Sequence, residues 1–121
     1  GLTSKQVAGV RARYERAPRL YDALFDEIDQ ISVAGVDLLQ NGQYEELGLA
    51  MNVCHGLLNA LEVSTPELER MVMLARTAGA AGAKLTGGGG GGSIVALCPD
   101  ALDRVRNALR EAGYRTLVLE S

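Results

Sequence analysis

Apolar positions recur at helical spacing from the start of the chain to about Ala78. Thr3 or Ser4 caps a first helix carrying Val7, Val10 and Tyr14, and the Ala17-Pro18 step ends it, because the residue before a proline avoids the helical region. Pro18 suits the first turn of a second helix. Its stripe of Leu20, Leu24, Ile28, Ile31 and Leu38 runs to Gln40, where Asn41-Gly42 reads as the stop. Tyr44, Leu47, Met51, Cys54, Leu58 and Leu61 then alternate in steps of three and four, the clearest amphipathic stripe in the chain. Ser64-Thr65-Pro66-Glu67 reads as a capping box with proline in the first turn, opening a fourth helix with Leu68, Met71, Val72 and Ala75 that ends at Gly79.

Beyond Gly79 the period shortens. Ala83 to Thr86 and Ser93 to Cys98 read as short strands flanking six consecutive glycines, Gly87 to Gly92. Pro99-Asp100 starts a last helix with Leu102, Val105 and Leu109 inward, Gly113 stops it, and Tyr114 to Glu120 is a final strand. The expectation is one α+β domain over residues 1–121, with a helical part, 3–79, and a β-β-α-β part, 83–120. A hairpin followed by one crossover helix gives a small antiparallel sheet, since it cannot build repeated parallel units.

Composition narrows the function. A chain of 121 residues with 47% hydrophobic and 22% charged residues is a folded domain and not a disordered segment. A net charge of −3 gives no field to attract nucleic acid or an anionic membrane, and no apolar run approaches the ~20 residues of a membrane span. Cys54 and Cys98 lie in apolar runs and read as buried small hydrophobes, which fits a reducing cytoplasm. Residues 1–19 hold five bases against one acid and residues 20–47 hold seven acids and no base, two blocks that pair with each other or face different neighbours.

Two features can carry chemistry. Glycines between strands let the backbone take positive φ and approach a bulky ligand, with successive N–H groups forming an anion-binding concavity that suits a phosphate. The alternative is a plain hairpin loop or linker. The run is neither a P-loop nor a dinucleotide fingerprint, because it lacks the GK[ST] ending and no helix follows it directly. On the third helix, Gly48, Asn52, His55 and Asn59 are spaced by four, three and four. That spacing sets a polar stripe about 100° around from the apolar one, either lining a cleft or satisfied at a helix contact. His55 is the only histidine, without a carboxylate on its own helical turn, so no metal site is expected.

Ala83-Lys84-Leu85-Thr86 followed by Gly87 to Gly92 and Ser93 resembles the third signature of the galactokinase, homoserine kinase, mevalonate kinase and phosphomevalonate kinase (GHMP) superfamily. The version most similar to it is that of mevalonate kinases, K-L-T-G-A-G-G-G-G-C, from which Gly88 and Ser93 depart. Met51-Asn52 with His55, Leu58-Asn59-Ala60-Leu61, and Val63-Ser64 with Pro66-Glu67-Leu68 also resemble the helix before that signature, with Glu62 where a glycine is common.

The resemblance implies the C-terminal domain of a small-molecule kinase that uses ATP and Mg²⁺ to phosphorylate an alcohol, mevalonate, in isoprenoid precursor synthesis. Phosphomevalonate is the alternative acceptor, and a stand-alone ligand-binding module the alternative function. The nucleotide-wrapping loop, catalytic aspartate and lysine of the family lie in an N-terminal domain that this chain lacks. No catalytic residue is therefore expected here. By resemblance Gly87, Gly88, Gly89, Gly90 and Gly91 contact phosphates and acceptor, with Thr86 as a hydroxyl contact and Asn52 and His55 as cleft-lining candidates. It also implies a ferredoxin-like sheet whose first strand, between the last and the third, is missing from the chain. Either Ser93–Cys98 then pairs directly with Tyr114–Glu120, or a partner domain, a homo-oligomer or an exchanged strand fills the slot.

Overall fold

A computed structural model describes residues 2–86 and 92–119. Four helices come first: α1 (Ser4–Arg16), α2 (Pro18–Gln40), α3 (Tyr44–Ala60) and α4 (Pro66–Thr77). The hairpin β1 (Gly82–Thr86) and β2 (Ser93–Leu97) follows, then α5 (Leu102–Glu111). This is the expected α+β order. Thr3 caps α1 in a reciprocal box with Gln6, the Pro18 entry is as read, and Gly42 and Gly113 take positive φ just beyond α2 and α5.

The hairpin pairs Gly82 with Leu97 through Thr86 with Ser93. Helices α4 and α5 cover one of its faces, and the core lies there: Val72 and Ala75 from α4, Ala83 from β1, and Ala101, Val105 and Leu109 around α5. Helix α3 runs against β1, α2 packs on α3, and α1 on α2. No residue of α1 or α2 is fully buried, so these two helices form an outer layer.

Four expectations are corrected. Leu20 is 63% exposed, and the half-buried stripe of α2 begins at Tyr21 and continues through Leu24, Ile28, Ile31, Gly35 and Leu38. The half-buried positions follow a heptad-like seam that takes in Tyr21, one residue on, in place of Leu20. Leu102 is exposed likewise, and Ala101, Val105 and Leu109 form the inward i, i+4 row of α5. The α4 cap is Thr65, whose Oγ1 accepts from the Leu68 N–H at 3.2 Å. The Ser64–Glu67 capping box does not form, because Ser64 bonds to Glu69 instead.

The fourth correction concerns the last strand. Tyr114–Leu119 joins no ladder among the described residues, where the sheet has two strands, and Glu120 lies outside them. Direct pairing of β2 with this segment therefore does not occur. The segment keeps a strand's alternation, with Tyr114, Thr116 and Val118 half-buried while Leu117 and Leu119 are 84% and 83% exposed. A strand exists only by pairing, so an alternating sequence with no adjacent strand stays unpaired.

Candidate functional site

The strand β1, which leads into the glycine segment, is bound on both edges. Antiparallel pairing sends alternate N–H groups toward β2 and the others away. The outward ones belong to Ala83 and Leu85, and α3 receives both. The Ala83 N–H donates to Asn52 Oδ1 at 3.0 Å and the Leu85 N–H to His55 Nδ1 at 3.1 Å. Arg76 of α4 donates from Nη2 to the Ala83 carbonyl at 3.0 Å. A helix has no spare backbone acceptors along its side, so side chains must complete a strand that lies against it.

Two glycines make that contact close enough. A Cβ on Gly48 would lie 2.2 Å from the Ala81 carbonyl oxygen, and one on Gly82 would lie 2.3 Å from that of Gly48. No side chain fits at either position. The polar stripe of Gly48, Asn52 and His55 is thus the face of α3 turned to β1, while Asn59, the fourth member, is exposed. The apolar stripe, represented by Leu47 near Gly35, meets α2.

His55 is 3% exposed. Because Nδ1 accepts from Leu85, the ring proton sits on Nε2, which donates to Glu69 Oε2 at 2.5 Å. Ser64 Oγ donates to the same oxygen at 2.6 Å. Burial works to raise the Glu69 carboxyl, but hydrogen bonds from Ser64 and His55, with the charge of Arg76, hold it below the ordinary carboxylate value.

At the far end of β1, the hydroxyls of Thr86 and Ser93 meet at 2.7 Å across the last rung of the hairpin. Gly87, Gly88, Gly89, Gly90 and Gly91 lie outside the described residues. Gly92 has φ +77°, and a Cβ there would sit 3.1 Å from Leu68 Cδ2. Both flanks of the glycine segment thus lead to the first turn of α4, through Leu68 on one side and Glu69–His55–Leu85 on the other.

Of the side chains around β1, the sequence reading singled out Thr86, Asn52 and His55 as candidates but not Ser64, Glu69 and Arg76, and the hydrogen bonds place Asn52 and His55 against β1. Fourteen residues separate His55 from Glu69. No local period spans that distance, and Ser64 was masked by its resemblance to a cap. Cys54 and Cys98 are free thiols, and burial pushes that of Cys98 up, as for a packing residue. The basic and acidic blocks form no ion pair with each other among the described residues. Arg13 instead pairs with Glu62 at 3.2 Å.

A two-stranded antiparallel hairpin with helices packed on its face and edge defines a small α+β domain. The family description "GHMP kinases C terminal" matches residues 36–115, and the chain belongs to that family. Mevalonate kinase of Methanothermobacter thermautotrophicus is 46% identical over 90% of this chain and 36% of its own length. Mevalonate kinase of Pyrococcus furiosus is 41% identical over 99% of this chain and 37% of its own. The crystal structure of L. major mevalonate kinase in complex with R-mevalonate superposes with a TM-score of 0.80 at 36% identity, covering 92% of this chain and 35% of that one. The chain thus spans little more than a third of the curated relatives it matches.

Proposed function

We propose that this chain is the substrate- and phosphate-binding C-terminal domain of a cytoplasmic kinase that transfers the γ-phosphoryl group of ATP to the alcohol of mevalonate. The observation that carries this reading is the likeness, at a TM-score of 0.80, to a kinase solved with R-mevalonate, combined with the K-L-T-G start of the glycine segment at Lys84–Gly87. An N-terminal GHMP kinase domain would supply the nucleotide-wrapping loop and the catalytic base. Mg²⁺ and the nucleotide would then be held largely by that other domain. This chain contributes backbone N–H groups of Gly87–Gly91 and the Thr86 hydroxyl to phosphates and acceptor, an electrostatic and positioning role suited to phosphoryl transfer.

The same division accounts for the unpaired segment 114–119. A strand from the N-terminal domain, set between β2 and this segment, would pair the backbone edges of both. A strand exchanged between two copies would do so as well, and the mass of the protein in solution separates the two. Gly88, where alanine is usual in the signature it resembles, favours one second reading, in which the acceptor is phosphomevalonate.

The test is ATP-dependent phosphorylation measured on the longer protein containing this chain, with mevalonate and phosphomevalonate as competing acceptors. Turnover of mevalonate is expected, with none from residues 1–121 alone. Phosphorylation by residues 1–121, or no phosphorylation of either acceptor by the longer protein, would refute the proposal.

A further inference from the structure

The geometry points to His55 as a positioning residue for this reaction: held by Glu69 and Ser64, it grips the Leu85 N–H and so places Thr86 and the start of the glycine segment. The inference rests on the kinase reading above and adds to it a role for three side chains.

Leu85 is 4% exposed, and its N–H points away from β2, so it requires an acceptor from α3. Three residues earlier on that helix, the same need at Ala83 is met by Asn52 alone. At Leu85 the chain uses an imidazole, which accepts at Nδ1 only while its proton stays on Nε2. The Glu69 carboxylate selects that tautomer, and the Ser64 hydroxyl orients the carboxylate. An asparagine would have satisfied the strand. What the histidine adds is a rigid link from the end of β1 to the first turn of α4, the turn whose Leu68 also abuts Gly92. One helical turn thereby touches both described flanks of the glycine segment; on the proposed function that segment meets a phosphate, and small misplacements there cost rate more than binding.

The experiment has two parts. In the 121-residue chain His55 is the only histidine, so its ring nitrogens can be read by ¹⁵N NMR without ambiguity. Nε2 is expected to be protonated and Nδ1 not; the reverse would overturn the inference. In the longer enzyme, His55→Phe is expected to lower kcat about tenfold, the worth of one buried hydrogen bond, with little change in KM. His55→Asn, whose Oδ1 can stand near the Nδ1 position but which loses the bond to Glu69, is expected to recover kcat only in part, to about threefold below the parent. A merely structural role would lower stability in both variants and leave kcat of the folded enzyme unchanged in each, which would refute the proposal. Should His55→Phe fail to fold, Glu69→Ala, at a side chain 40% exposed, releases the tautomer. Faster hydrogen exchange at Leu85 and a lower kcat are then expected, and unchanged values refute the link. If the unsubstituted enzyme phosphorylates neither acceptor, the kinase reading fails instead, and the ring tautomer with Leu85 exchange still decides whether the grip exists.

Discussion

Replacing Gly48 by alanine adds one methyl group to a helix interior, a change that elsewhere stabilises a helix by about 1 kcal/mol. Here the new Cβ would lie 2.2 Å from the Ala81 carbonyl oxygen, 2.5 Å from its carbon and 2.9 Å from the Ala81 Cβ. Two of the three are backbone atoms, which cannot swing aside as the tip of a side chain can. Ordinary contact requires β1 and α3 to separate by about 1 Å. The same movement stretches the Asn52–Ala83 and His55–Leu85 hydrogen bonds, at 3.0 and 3.1 Å, beyond bonding distance. Each leaves a buried N–H without an acceptor, at about 1–3 kcal/mol. Two such losses, about 2–6 kcal/mol, less about 1 kcal/mol of helix propensity, leave about 1–5 kcal/mol of destabilisation, or a fall in Tm of about 4–20 °C for a chain of this size. Gly56 is the internal control, since it lies on the same helix with nothing within 4 Å of its added Cβ. Gly56→Ala should therefore raise Tm by a few degrees. Thermal melts followed by far-UV circular dichroism measure both. A Gly48→Ala protein that melts at or above the parent would show that α3 and β1 do not approach as described.

Val72 is 1% exposed at the centre of the core, so Val72→Ala should cost about 2–3 kcal/mol in urea denaturation, and a loss below about 1 kcal/mol would mean that the site collapses freely. Glu62 has φ +62°, which a side chain tolerates poorly, so Glu62→Gly should raise Tm even though it removes the exposed ion pair with Arg13; a lower Tm would show that the pair outweighs the strain. The fold holds the Glu69 carboxyl below its ordinary value, so ionised Glu69 stabilises the protein at neutral pH and that contribution is lost as pH falls through the lowered value. The Tm difference between the parent and Glu69→Gln should accordingly be positive at pH 7, small because the group is partly solvated, and absent in acid. In the longer enzyme, Gly89→Val or Gly90→Val should lower kcat/KM strongly without unfolding, because any side chain blocks close backbone approach to a phosphate; unchanged kinetics would leave the glycines a simple hairpin loop.

Local chemistry was legible in the sequence wherever a period or a cap settled the matter. The helices of α1 to α4, the hairpin and the α5 stop could all be read from spacing, prolines and glycines, because each depends on residues within a turn or two of one another. The K-L-T-G and glycine pattern pointed to the family for the same reason: the motif is contiguous. What spacing could not convey was which face of α3 is inside. Gly48, Asn52 and His55 read equally well as a cleft edge or a packed contact, and only the arrival of β1 against them turned a polar stripe into the acceptors of a strand. Ser64, Glu69 and Arg76 joined that site through contacts that no local pattern records. Tyr114–Leu119 shows the converse. Its alternation is strand-like, yet it is unpaired among the described residues, because pairing belongs to two segments jointly and one sequence pattern specifies only its own half.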